Sequence, residues 1–429
     1  SYETQGECAI RIWTGRAGSG KTTAILREIA ALSEKGEGRQ ILLVPELNSH
    51  LMERRLAAAT HNHGARTAEV LTFSRLADRV FSEVGGLAQQ MLTPAGQLLT
   101  LQEAARRVQG GLSAWKGLAD KSELLQEALR LIDECKTCAV APETLFAAAE
   151  ESEDAVLAEK LSDLAQILTA YERLCEESLP DPRDRLTHLR DRLAESHTLD
   201  GAAVYLDGFL GFTVQESAVV DAMLAAGVPL SAAVTCDTDY PEIFLTGCKT
   251  VQKLTRMAKH HNQTVERIEL GESKVARPEG LAALERESLL PVRTPQESAA
   301  GVRLYEAASP FDECEHAAAY IRRKVRDEGA RCRDFVVAAR DIEPYSAFLA
   351  MAMARYDIPV FLAEKPDLLS RPPMALVTNA LEAVRNHFRY EDLFSCLKTG
   401  LAGLDRDEID KLENYVLTWN IRGGAWERE

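Results

Sequence analysis

Ile10–Arg11–Ile12–Trp13–Thr14–Gly15–Arg16–Ala17–Gly18–Ser19–Gly20–Lys21–Thr22 decides how the rest of the chain is read. An apolar strand runs into a glycine-rich turn, and a helix is predicted from Thr22 to Glu34. Gly15, Gly20, Lys21 and Thr22 fit G-x-x-x-x-G-K-[ST], the pattern of a loop that cradles nucleotide phosphates. The glycines Gly15, Gly18 and Gly20 let backbone N–H groups converge on phosphate oxygens without Cβ clashes. Lys21 would reach the β- and γ-phosphates, and the Thr22 hydroxyl would take a position on Mg2+. The helix that follows turns its positive dipole end toward the same anion. An ordinary glycine-rich turn is the alternative, and the strand before and helix after argue against it. The stretch predicts a bound nucleoside triphosphate.

The whole chain sets bounds around that loop. Its 429 residues suggest about three domains with material for sizeable cores. The formal net charge of −16 argues against coating nucleic acid by bulk electrostatics, while leaving room for a local basic groove. No apolar run reaches bilayer length, and the first residues lack the form of a signal peptide. Nine cysteines without framework spacing suit a reducing cytoplasm, the expected location. The close pair Cys135 and Cys138 has no second pair nearby. It follows Leu125, Ala128, Leu129 and Ile132 at helical spacing, which favours packing over zinc or redox chemistry.

Outward from the loop, Ile41–Val44 reads as a buried parallel strand before Pro45, and 48–59 as a helix. Ala68–Thr72 is the next strand, running into an irregular Phe73–Ser74–Arg75, and the unit is βαβ. From 87 to 199 only helical periodicity is visible. Strands resume at 203–209 and 230–237. The first α/β domain is therefore discontinuous, over 1–85 and 200–270, around a helical insert at 86–199. A polar linker is expected at 271–297. A second α/β pattern covers 298–390, with strands at 302–307, 335–340 and 359–362 and helices at 313–328 and 344–356. Residues 391–429 are helical, without a closing strand.

Five stretches in order carry a resemblance: Gly15–Thr22, Leu43–Val–Pro–Glu46, Thr72–Phe–Ser–Arg–Leu–Ala77, Tyr205–Leu–Asp–Gly–Phe209 and Phe212–Thr–Val–Gln–Glu216. Together with Leu412–Glu–Asn–Tyr415 they resemble the N-terminal part of the AddB (RexB) family, the B subunit of the bacterial AddAB helicase–nuclease. The similarity spans nearly the whole chain. It implies a superfamily 1 helicase-like architecture: a RecA-like P-loop sheet domain with an all-helical insert, then a second, incomplete RecA-like α/β domain and the start of a second helical insert at 391–429. It also implies ATP and Mg2+, with Asp207 holding the metal through water. In an active motor the next residue is a glutamate that positions the attacking water. Here it is Gly208. Glu216, nine residues on from Asp207, is the alternative acid. Gln215 matches a glutamine that couples phosphate state to DNA grip. Cys236–Asp237–Thr238–Asp239 lacks the phosphate-sensing glutamine expected nearby, and Arg340 matches an arginine that reaches the γ-phosphate. The short stretch before the loop leaves little room for an adenine-reading motif.

The resemblance further places single-stranded DNA at loops on one sheet edge: Leu47 and Ser49 after the second strand, Phe73 and Arg75 after the third, and Phe209 and Phe212 near the next. Phe73 would stack on a base, Arg75 would grip phosphate or guanine, and the surface would read a recombination hotspot. Leu47 departs from the polar side chain expected there. The implied partner is an AddA-type helicase–nuclease subunit, in a heterodimer in which that subunit is the motor. The family's nuclease, with its metal carboxylates and iron–sulfur cluster, is expected beyond Glu429. Two other readings stay open: an autonomous ATPase or helicase using another acid, and an unrelated P-loop phosphotransferase.

Overall fold

Ile41, Leu42, Leu43 and Val44 are all buried, and successive side chains of a strand point to opposite faces, so this strand needs cover on both sides. The computed structural model describes residues 9–61, 67–271, 275–287, 298–362, 368 and 371–427. It divides into two compact units, 1–301 and 302–429.

The first unit is built on a six-stranded sheet of β1 (Ala9–Gly15), β2 (Arg39–Leu43), β3 (Ala68–Leu71), β4 (Ala202–Leu206), β5 (Leu230–Thr235) and β6 (Thr264–Glu269). The order is β3-β2-β4-β5-β1-β6 and every pairing is parallel. β5 thus separates the phosphate-loop strand β1 from β4, the strand that ends at Asp207. This α/β arrangement is consistent with a RecA-like fold. β6 went unread in the sequence. Thr264–Val–Glu–Arg–Ile–Glu269 alternates, but as an edge strand it leaves most side chains in solvent, so its signal is weak.

Helices flank the strands. After β1 comes α1 (Lys21–Lys35), and after β2 comes α2 (Ser49–Ala59). Between β3 and β4 run α3 (Phe73–Val84), α4 (Pro94–Val108), α5 (Ser122–Thr137), α6 (Pro142–Glu151), α7 (Ala155–Glu177) and α8 (Arg185–Arg192). α9 (Val214–Ala225) follows β4, and α10 (Leu245–His260) follows β5. Ile25, Ile29, Met52 and Leu56 of α1 and α2 pack on Leu42, Val44 and Tyr205. On the opposite face Leu76, Val80, Leu189, Val219, Met223 and Leu254 pack on Ile12, Ile41, Leu43 and Leu206. α4, α5 and α7 share a separate core around Leu101, Ile132, Leu168 and Tyr171. Among the described residues no helix is long and apolar enough to cross a membrane.

The stretch read as a linker carries α11 (Glu279–Glu287), and the division between units falls later, after Gly301. The second unit holds α12 (Pro310–Glu328), α13 (Glu343–Arg355), α14 (Pro372–Arg385), α15 (Tyr390–Leu397) and α16 (Arg406–Trp419). The strands expected at 302–307, 335–340 and 359–362 do not form; these stretches have no regular structure. A strand needs a hydrogen-bonded neighbour and cover on its apolar face. Here that cover is mostly missing. Phe335 and Leu362 pack on the core of α12 and α13, whereas Leu304, Val336 and Phe361 are 99%, 90% and 90% exposed.

Candidate nucleotide site

β1 delivers the loop at the edge where β4 and β5 also end: Gly15 lies beside Thr235 in register, and Leu43 beside Leu206. Gly15, Gly18 and Gly20 have φ of +150°, +80° and +96°, conformations that disfavour any side chain. At Gly15 there is no space either, since a Cβ would fall 2.5 Å from Leu270 O and 2.6 Å from Ser19 Oγ. Gly20 caps α1, whose first residue is Lys21.

Lys21 is buried, and its Nζ donates to Gly15 O at 2.8 Å and Arg16 O at 2.9 Å. Burial holds its pKa below the ordinary lysine value, with Asp207 pulling the other way. Ser19 is fully buried and its hydroxyl has no hydrogen-bond partner. Opposite, Asp207 is buried directly after β4, and its N–H donates to Leu43 O at 3.1 Å. Burial raises its pKa; hydrogen bonds from the Thr22 hydroxyl and the Gly208 amide oppose the shift. Thr22 and Asp207 therefore meet, as a shared metal requires. An unpartnered hydroxyl, a lysine resting on loop carbonyls and a cradle without Cβ atoms fit a phosphate chain with its Mg2+.

The neighbouring acids are placed less suggestively. Gly208 has φ +84°, and a Cβ there would approach Asn48 Nδ2 to 3.2 Å and Pro45 Cδ to 3.4 Å. Glu216 closes a capping box at the start of α9, its Oε2 accepting from Thr213 N at 2.9 Å. Gln215 is buried and donates to Arg183 O at 2.9 Å and Thr187 Oγ1 at 3.3 Å, bonds to the returning end of the helical segment. Arg340 belongs to the second unit and is exposed.

Of the residues read as a DNA surface, Phe73 and Phe209 line a groove of about 390 Å3 at the same sheet edge, together with Pro45 and Gly208. Leu47, in the turn ahead of α2, is 97% exposed, and Ser49 begins that helix. Phe73 and Arg75 are not in a loop but in the first turn of α3, because Thr72 caps that helix by accepting from Arg75 N at 3.2 Å. Thr72 ahead of Leu76, Ala77, Val80 and Phe81 was the available signal. The helix buries Phe73, whose ring packs edge-on against the buried Phe209 at 5.6 Å. Phe212 is half-buried, 5.0 Å from Phe209. Arg75 pairs with Glu53 at 2.6 Å. A residue passed over in the sequence is Arg16, whose Nε donates to Asp237 at 2.5 Å while its guanidinium lies over the Tyr240 ring. Cys135 is buried in α5 and Cys138 is exposed at its end.

The family described as "ADDB, N-terminal" matches residues 12–285. Three similar proteins are each named as the B subunit of an ATP-dependent helicase/deoxyribonuclease. That of Desulforudis audaxviator is 36% identical, aligning over 97% of this chain and 37% of its own length. Those of Acetivibrio thermocellus and Thermoanaerobacter sp. (strain X514) are 33% and 32% identical over 97% and 98% of the chain, which spans 38% of each.

Proposed function

The chain belongs to the ADDB N-terminal family, and from that premise we propose that it is the nucleotide-holding, DNA-facing part of the B subunit of an ATP-dependent helicase–nuclease, and is not itself a motor. The observation that carries this is a complete phosphate loop facing Asp207, next to a glycine with φ +84° where a motor has its water-positioning acid. Thr22 and Asp207 would hold Mg2+, which neutralises phosphate charge when bound. Lys21 turns from the carbonyls of Gly15 and Arg16 to the phosphates. Gly18 and Gly20 keep the loop amides open to the anion. Glu216 is held in its capping box, accepting from Thr213 N, and is not free to orient a water.

DNA enters the same reading. Single-stranded DNA would cross the groove past Leu47, Ser49 and Phe212. Phe73 and Phe209 support that surface from beneath, and Arg75 has to leave Glu53 to read a guanine of the hotspot. Residues 298–390 would be the incomplete second RecA-like half; the packing of Phe335 and Leu362 on the core of α12 and α13 supports that reading. An AddA-type partner would be the motor.

The test is calorimetry with Mg-ATP beside a phosphate-release assay, with and without single-stranded DNA. A charged hydrogen bond contributes about 1.5–3 kcal/mol, so Lys21→Ala should weaken binding about 10- to 100-fold. The wild type should bind ATP and release phosphate only at background rate. DNA-stimulated turnover by the purified chain would overturn the non-motor reading.

A further inference from the structure

Two thiols beside the phosphate loop lie in contact. Cys236 Sγ and Cys248 Sγ are 2.8 Å apart, and both cysteines are free. The cause is a close approach of backbones. Gly247, in the first turn of α10, lies against the end of β5 so tightly that a Cβ would fall 2.0 Å from Thr235 O. That approach sets residue 248 over residue 236. Cys236 is buried and Cys248 half-buried, so a reagent reaches the pair from the Cys248 side.

The pair also sits where it can act. Cys236 bridges to Gly15 at the start of the loop. The next residue, Asp237, holds Arg16 at 2.5 Å, and Tyr240 and Phe244 lie 4.9 Å and 5.8 Å from the same guanidinium. The Arg16 carbonyl in turn accepts from Lys21 Nζ at 2.9 Å. The connection 236–244 is thus docked on the loop in the state that keeps Lys21 on carbonyls. Nucleotide must draw Lys21 away.

We propose that Cys236 and Cys248 are a site of reversible disulfide formation that fastens this connection onto the phosphate loop and so weakens nucleotide binding. The second half of the proposal rests on the nucleotide reading above. With hydrogen peroxide as oxidant, the Cys248 thiol gives up its proton, its thiolate attacks one peroxide oxygen, the O–O bond breaks, and the departing hydroxide takes that proton up as water, leaving a sulfenic acid. The Cys236 sulfur then attacks the Cys248 sulfur, the S–O bond breaks, and the Cys236 proton leaves with the hydroxide as a second water. Two thiols and one peroxide give one disulfide and two waters; sulfur is oxidised and peroxide oxygen reduced. A small-molecule dithiol reverses the change by exchange, becoming a disulfide itself. The half-buried Cys248 is the thiol that meets the oxidant first, while burial and the neighbouring Cys248 sulfur push the Cys236 thiol up. Closing the gap to a bond of about 2.05 Å needs little movement.

The full chain would be treated with hydrogen peroxide and its tryptic peptides mapped without reduction. Amide exchange across 15–22 and Mg-ATP affinity would be compared in reduced, oxidised and re-reduced protein and in Cys248→Ser. The expected result is a linked Cys236–Cys248 peptide, slower exchange in the loop and about tenfold weaker ATP binding, all reversed by dithiol and absent in Cys248→Ser. Absence of the linked peptide, or its formation with exchange and affinity unchanged, would overturn the proposal. The linked peptide and loop exchange are scored without nucleotide. A reduced protein that bound no ATP would therefore refute the nucleotide reading, and with it the control of binding, separately from disulfide formation.

Discussion

A glutamate at position 208 would meet two obstacles. The backbone there is left-handed, and the new Cβ would press on Asn48 and Pro45. Strain of this kind costs about 1–3 kcal/mol. Gly208→Glu is accordingly expected to lower the urea midpoint of unfolding without restoring phosphate release; turnover gained with unchanged stability would show that the loop accepts the acid. Asp207 offers a test of opposite sign. Burial raises its pKa, so between the ordinary aspartate value and the raised folded value the native state holds more protons than the unfolded chain. Stability then falls as pH rises through that window. Asp207→Asn should be more stable than the wild type above the window, the difference closing below it, while losing the Mg2+ dependence of nucleotide binding. Melting temperatures across pH in metal-free buffer check the first part. A variant less stable at neutral pH would refute the account.

Between elements, a buried polar node joins the helices that separate β3 from β4. The Asp181 side chain is fully buried and accepts from Gln97 Nε2 at 2.8 Å on α4, Tyr171 OH at 2.9 Å on α7, and Arg183 N at 2.9 Å in its own turn. That turn also receives the amide of Gln215 from α9. Gln215 therefore ties the segment leading from Asp207 to the returning helices. Removing one donor leaves a buried carboxylate underbonded, at about 1–3 kcal/mol. Tyr171→Phe is expected to lose that much in chemical unfolding followed by helical circular dichroism; a neutral outcome would mean that water replaces the hydroxyl. None of this was legible in the sequence. Leu164, Ile167, Leu168 and Tyr171 announce a helix by their period, but the partner of the Tyr171 hydroxyl lies across a turn whose path local spacing does not encode.

At the scale of the molecule, the phosphate loop, Asp207 and the cores on both sheet faces all fall in the unit 1–301. That unit should fold and bind nucleotide by itself. A chain ending at Gly301 is expected to bind Mg-ATP within about twofold of the full chain. It would bind Mg-ADP, which has no γ-phosphate, equally well. Parallel titrations of the two nucleotides decide this; equal losses for both would point instead to damage in the first unit.

By itself the sequence determined the glycine-rich turn with the helix behind it, five of the six strands and the family. Each rests on neighbours in the chain: glycines at set spacing, continuous apolar runs, and a helix behind a turn. Only the tertiary structure decided whether Phe73 offers its ring to solvent or to Phe209, that Glu216 caps a helix, and that Cys236 meets Cys248. Those outcomes depend on how strands far apart in sequence align at one edge. The same holds for 302–307, 335–340 and 359–362. Their apolar composition reads as strand, but a strand exists only when a neighbour takes its backbone hydrogen bonds, and that condition lies outside the local sequence.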